Sequence, residues 1–234
     1  MLRKWIPLIF CLWFSDILTA QEHDNLWLRA TVSAAISKNI KMDNELQHRR
    51  QNGWNNHNLL DENLLYSYRN WLHYKHSEGL SFSLSPFAYF SNYKIVQTEA
   101  DEGQKPKGEF RFSAAVEFQQ SLVGKFHLFD RTALEYRIFP KNHKEVTRFR
   151  NRLGAKYVLN EQLSFSASEE VLLNISGADI SHFFDQNRLT LSATYKLSAH
   201  FKIDLSYMYL TRLSSSGDST MGENDVLVYF TYSL

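Results

Sequence analysis

The sequence predicts an all-β protein, a closed antiparallel transmembrane β-barrel of about 10 to 12 strands. Three observations carry that expectation. From Leu26 onward apolar and polar residues alternate with a period of two, the signature of strands with unlike faces. Ionisable residues gather on one of those faces, whereas the other is apolar and ends in Tyr or Phe, as the interfacial girdles of a membrane barrel require. The alternating stretches, many of about 10 to 14 residues, are long enough to cross a bilayer at a tilt.

The chain opens MLRKWIPLIFCLWFSDILTAQ, where Arg3 and Lys4 precede an apolar run from Trp5 to Phe14 and the small residues Thr19 and Ala20 follow. This reads as a secretory signal peptide, residues 1–20, cleaved after Ala20. Its apolar run is about half the roughly 20 residues that a spanning helix needs. Cys11 lies inside it, so the mature chain has no cysteine, no disulfide framework and no thiolate metal site. Residues 21–234 then form one barrel domain. Removing Arg3, Lys4 and Asp16 from 26 basic and 25 acidic residues leaves 24 against 24. A balanced mature chain removes the simplest argument for a nucleic-acid partner.

Eleven strands are expected, at about 26–37, 43–52, 63–75, 79–93, 109–122, 125–138, 145–158, 161–175, 182–197, 200–212 and 224–234. The second is weakly patterned, since His48 and Arg50 share a face with Leu46. In the fifth, Phe110, Phe112, Ala114, Val116 and Phe118 oppose Arg111, Ser113, Glu117 and Gln119. The sixth sets Arg131, Glu135 and Arg137 against Leu128, Thr132, Leu134, Tyr136 and Ile138. The seventh, TRFRNRLGAKY, places Arg148, Arg150 and Arg152 opposite Phe149, Leu153, Ala155 and Tyr157. An arginine turned outward at the bilayer midplane costs roughly 2–4 kcal/mol, so these guanidinium groups must face the lumen. The eighth carries adjacent Glu169 and Glu170, one of which faces outward unless a bulge or a rim position intervenes. The ninth and tenth alternate cleanly, with Leu189, Leu191 and Tyr195, then Leu205, Tyr207 and Tyr209, on the apolar side.

Short connections at SKNIKMD, SEG, VGK, NEQ and SAH alternate with longer polar ones around residues 54–61, 94–108, 140–144, 177–181 and 214–223. Short periplasmic turns and longer extracellular loops have this rhythm. The odd strand count departs from the even number usual in single-chain bacterial barrels, and it starts the mature chain at the long-loop rim.

The segments FRNRLGAKY, SEEVLLNI, FFDQNRLTLSATYKL and IDLSYMYL resemble the carboxy-terminal half of the outer-membrane family called domain of unknown function 2490. LWLRATVSAAISKNIKMDNELQHR resembles its opening hairpin. The resemblance implies a barrel in the cell outer membrane and carries over no reaction. The end, DVLVYFTYSL, keeps the alternation but closes on Leu234 in place of the usual terminal aromatic read by the barrel-assembly machinery.

The residues that invite function are Glu117, Arg131, Glu135, Arg137, Arg148, Arg150, Arg152, Glu170, Asp185 and Arg188, expected as a charge network in the lumen. As structure, they are an ion-paired interior plugging a narrow barrel, because buried charges must be paired. As function, they line a small pore in which basic residues favour anions. The nine histidines show no HExxH or comparable ligand spacing, and no GxSxG elbow accompanies the serines. No catalytic set, metal site or cofactor is expected. A membrane-embedded enzyme acting on lipid and a soluble lipocalin-like barrel are the alternatives, the latter with its apolar face turned inward. Expected partners are outer-membrane lipid, lipopolysaccharide at loops such as KPK and KNHKE, the assembly machinery and a small solute.

Overall fold

A computed structural model of the chain describes residues 23–213 and 219–234. The peptide assigned to residues 1–20 and part of the connection around 214–223 lie outside the described residues. Period-two segments become β1 (His23–Ala35), β2 (Ile40–Gln51), β3 (Glu62–Ser77), β4 (Leu80–Asn92), β5 (Lys107–Ser121) and β6 (Phe126–Phe139). They continue as β7 (Lys144–Val158), β8 (Leu163–Ser176), β9 (Phe184–Lys196), β10 (Phe201–Leu213) and β11 (Thr220–Ser233). Every expected strand is present, with its ends within four residues of the positions read from the alternation.

The strands close into one barrel in chain order. Consecutive strands are antiparallel, so an odd number brings β1 and β11 together pointing the same way. The closing seam is accordingly parallel, running from His23↔Glu223 to Ser33↔Ser233. The parallel seam accommodates the odd count of strands among the described residues. One rim carries the connections 36–39, 78–79, 122–125, 159–162 and 197–200, and β11 ends there. The other carries the connections 52–61, 93–106, 140–143 and 177–183, and β1 starts there. One expectation is corrected here: the 140–143 connection is no longer than the turns on the opposite rim. Pro140 fixes the first residue of a 3₁₀ turn and His143 takes a left-handed conformation, φ 49°, so the chain reverses at once.

Face assignment follows the alternation. Phe112, Leu191 and Leu205 point outward, 45%, 56% and 55% exposed, while Glu135 is 1% exposed inside. Outward Tyr66, Tyr89, Tyr136 and Tyr209 ring the long-loop end, and Phe82, Phe118, Phe126, Tyr195 and Tyr232 ring the other. Such a surface is solvated by lipid, and the fold is that of a transmembrane barrel.

Glu169, at the middle of the 14-residue β8, does face outward. It belongs to a polar row across β6 to β9. Asn187 donates from Nδ2 to Glu169 Oε1 at 2.9 Å, and Asn151 donates to Asp130 Oδ1 at 2.7 Å and Thr132 Oγ1 at 3.0 Å. Register irregularities at Thr147/Arg148 and Leu172/Leu173 lie nearer the long-loop rim and do not turn Glu169 inward. Each outward carboxylate takes a hydrogen bond from a neighbouring strand's carboxamide, which lowers the cost of leaving it in the apolar belt.

Candidate functional site: the arginine-rich lumen

Cross-strand register builds the β5–β9 wall. Glu135 lies directly opposite Arg148, and Glu170 directly opposite both Arg152 and Arg188. Arg148 grips Glu135 Oε2 through Nε at 3.0 Å and Nη2 at 2.5 Å, and Arg150 donates to its Oε1 at 2.7 Å. Arg69 reaches the same carboxylate from β3 at 3.2 Å, with Arg111 at 4.0 Å. One buried carboxylate therefore organises four guanidinium groups. Arg150 and Arg188 share Glu170 at 2.7 and 3.2 Å, and Arg148 also donates to Asp185 at 2.6 Å. Arg137 and Arg111 converge on Glu109 at 2.6 and 2.5 Å. Glu117 sits 3.9 Å from Arg131 and 3.8 Å from Arg152, beyond hydrogen-bond range. Of the ten residues singled out in the sequence, seven thus enter the lattice and three attach to it loosely.

Sequence reasoning missed Glu109, Arg111 and Arg69. Arg111 was visible on the polar face of its strand, Glu109 fell on an expected strand boundary, and Arg69 is hidden in the aromatic run YSYRNW. The wall formed by β1, β2 and β11 was missed entirely. There Arg49 lies over the Trp27 ring, 3.3 Å from its centroid, and Arg29 over Tyr229 at 3.8 Å. Arg49 donates to Gln47 Oε1 at 3.0 Å, and Arg29 is 3.6 Å from Glu45.

Between the walls lies a cavity of about 440 Å³. It is lined by nine cationic side chains, Arg29, Arg49, Arg69, Arg111, Arg148, Arg150, Arg152, Arg188 and Lys202, against three carboxylates, Glu45, Glu170 and Asp204. Gly154 makes room for it: a Cβ there would come 2.3 Å from the tip of the lining Phe129 ring. The cavity reaches Lys202 and Thr194 close to the short-turn rim. Toward the long-loop rim it stops at an apolar cluster of Trp27, Met208, Leu210 and Leu227. Beyond that, Asn25 donates to Glu223 at 2.8 Å and to Asp225 at 2.6 Å, all three fully buried.

The loop at residues 93–106 lies across that end. Gln51 Nε2 donates to the Lys94 carbonyl at 2.9 Å, Val96 N–H donates to Gln51 Oε1 at 3.2 Å, and Gln97 reaches Met221 on β11 at 3.1 Å. Within the loop Asp101 pairs with Lys94 and accepts from the Thr98 backbone N–H at 2.9 Å and its hydroxyl at 2.9 Å. The Lys94 ammonium and these hydrogen bonds hold the Asp101 carboxyl down at about 2.

A closed barrel with an apolar exterior and a cationic lumen defines a membrane β-barrel of porin-like architecture. The sequence matches the family model described as "Protein of unknown function (DUF2490)" over residues 24–221, and the chain belongs to that family. No curated protein matches it by sequence. Among solved structures, one described as "NanC porin structure in rhombohedral crystal form" is similar at TM-score 0.50 and 8% identity, covering 89% of this chain and 99% of that one. Another, outer-membrane expressed OmpT of Vibrio cholerae, has TM-score 0.35 and 8% identity over 78% of this chain and 58% of its own. At that identity the first likeness is one of fold.

Proposed function

We propose that the protein is an outer-membrane barrel whose lumen takes up small anions from the short-turn, periplasmic side and carries out no chemistry on them. The observation that carries this reading is the excess of nine cations over three carboxylates around one cavity of about 440 Å³. Field lines from such a lining concentrate anions in a low-dielectric channel. The leader-like start of the chain and the porin-like fold support the location. Passage through the barrel requires the loop at residues 93–106 to move, because it and the apolar cluster occupy the far end. Purified barrel in a planar bilayer tests the proposal: the expected result is conductance with a reversal potential favouring chloride over potassium. That preference falls in the double variant Arg150→Gln, Arg152→Gln. Silence from folded, heat-modifiable protein would overturn passage of anions through the barrel.

One observation favours a second reading, an acyl-transfer enzyme. Ser83 Oγ lies 2.8 Å from His73 Nδ1, and His73 Nε2 lies 3.1 Å from Asp43 Oδ2. Both His73 and His76 sit on β3. The Nε2 approach is poorly aligned for a hydrogen bond, and strand pairing engages the ladder around His73 and Ser83. The paired backbone around Ser83 then does not offer the two free N–H donors of an oxyanion hole. Labelling of Ser83 by a fluorophosphonate probe, lost in His73→Ala, is the result that would promote this reading over the first.

A further inference from the structure

The two kinds of arginine in the lumen differ in what their N–H groups touch. In the β5–β9 lattice Arg111, Arg137, Arg148 and Arg150 donate to carboxylates, and Arg188 divides its donors between Glu170 and the Gln186 amide. On the facing wall Arg49 meets no carboxylate within ion-pair distance among the described residues, and it donates to the neutral Gln47 amide. The buried Nε atoms of Arg29, Arg49 and Arg69 have no protein acceptor, and neither has Trp27 Nε1, whose residue is only 3% exposed. All four residues line the same cavity. Buried donors without acceptors are costly, and a fold that retains several around one space has left them for something that accepts.

Their arrangement is specific. Trp27 and Arg49 are direct cross-strand partners, as are Arg29 and Tyr229. The Trp27 ring backs the Arg49 guanidinium at 3.3 Å, with Arg188 approaching that ring at 5.6 Å, and Tyr229 backs Arg29. A ring beneath a guanidinium covers one face of it and takes up none of its N–H groups, which remain able to donate to an oxyanion. The cavity, at about 440 Å³, falls within the size range of small-molecule sites.

We infer that the Trp27–Arg49–Arg29 wall is a binding site for the oxyanion, phosphate or carboxylate, of a small solute. The site rests on the proposed access of anions to the lumen, but it does not require that they pass through. Donors from β1, β2 and β3 line one cavity, where an oxyanion is the acceptor that the described side chains do not supply. On the opposite side Arg148 and Arg150 are held by carboxylates, whereas Arg152, with an Nε that has no acceptor among the described residues, lines the same cavity.

Full-length barrel refolded in detergent tests this directly. Titration with inorganic phosphate, and separately with acetate, at constant ionic strength set by chloride is followed by tryptophan fluorescence and by calorimetry. Saturable binding of at least one of the two is expected, with a fluorescence change that disappears in Trp27→Phe. Arg49→Gln is expected to weaken binding about 10-fold or more, the loss that goes with a charge-assisted hydrogen bond, and Arg49→Lys to restore part of it. Absence of saturable binding by the wild type overturns the site, as does unchanged affinity in folded Arg49→Gln. Should Arg49→Gln fail to refold, Arg29→Gln is read by the same criteria. Saturable binding in a barrel that does not conduct overturns passage and keeps the site; anion-selective conductance indifferent to both probes and to Arg49→Gln keeps passage and overturns the site.

Discussion

The two walls of the lumen use the same side chain to opposite ends. On β5–β9, guanidinium groups are locked to Glu109, Glu135 and Glu170 by short, often bidentate contacts. On β1–β2 they rest on Trp27 and Tyr229, with donors to spare. Arginine in a barrel is therefore not one signal. Where it meets a carboxylate within hydrogen-bond reach it is part of the scaffold; where it rests on an aromatic ring it keeps N–H groups without a protein acceptor.

The largest effect expected from breaking this contrast is at Glu135. Glu135→Gln removes the counter-charge shared by four arginines, and the loss of one partner from a buried pair destabilises by about 3–5 kcal/mol. Denaturant unfolding of the barrel in lipid vesicles, monitored by gel migration, measures it. On the other wall, Arg49→Gln is expected to cost no more than about 1–2 kcal/mol, since only a cation–π contact and one hydrogen bond are lost. A loss at Arg49 equal to that at Glu135 would mean that both walls are scaffold.

A smaller change, of opposite sign, is expected outside. Glu169→Leu takes a carboxylate out of the apolar belt and is expected to stabilise the barrel in vesicles by about 1 kcal/mol, less than the penalty for an outward arginine. A loss of stability there would show that the outward polar row is covered by something other than lipid.

The smallest effect concerns the loop over the long-loop rim. The Asp101 carboxyl is depressed from 3.8 to about 2, so its stabilisation of the loop is complete above about pH 4 and is lost as the pH falls toward 2. Acid-dependent proteolysis within residues 93–106 should appear over that window and be shifted to higher pH by Lys94→Gln. Loop cleavage independent of pH would assign closure of the rim to the Gln51 contacts instead.

Strand alternation was legible because a period of two records, residue by residue, which side chains meet lipid and which meet the lumen. Arg148, Arg150, Glu135 and Glu170 were found that way. Arg49 was not, because it is adjacent to Arg50 and the β2–β3 register shifts between the two, so alternation gives no decision there. Arg69 was lost among aromatics that point both ways, Trp71 inward and Tyr68 outward.

Alternation along the chain was enough to place the strands and assign their faces, since both follow from local pattern and from the cost of placing charge in hydrocarbon. The exact strand number and everything that depends on closure came from the fold. The parallel β1–β11 seam, the pairing of Glu135 with arginines from β3 and β7, and the stacking of Arg49 on Trp27 all depend on register between strands. Register is set by how the whole sheet closes, and no single strand contains it.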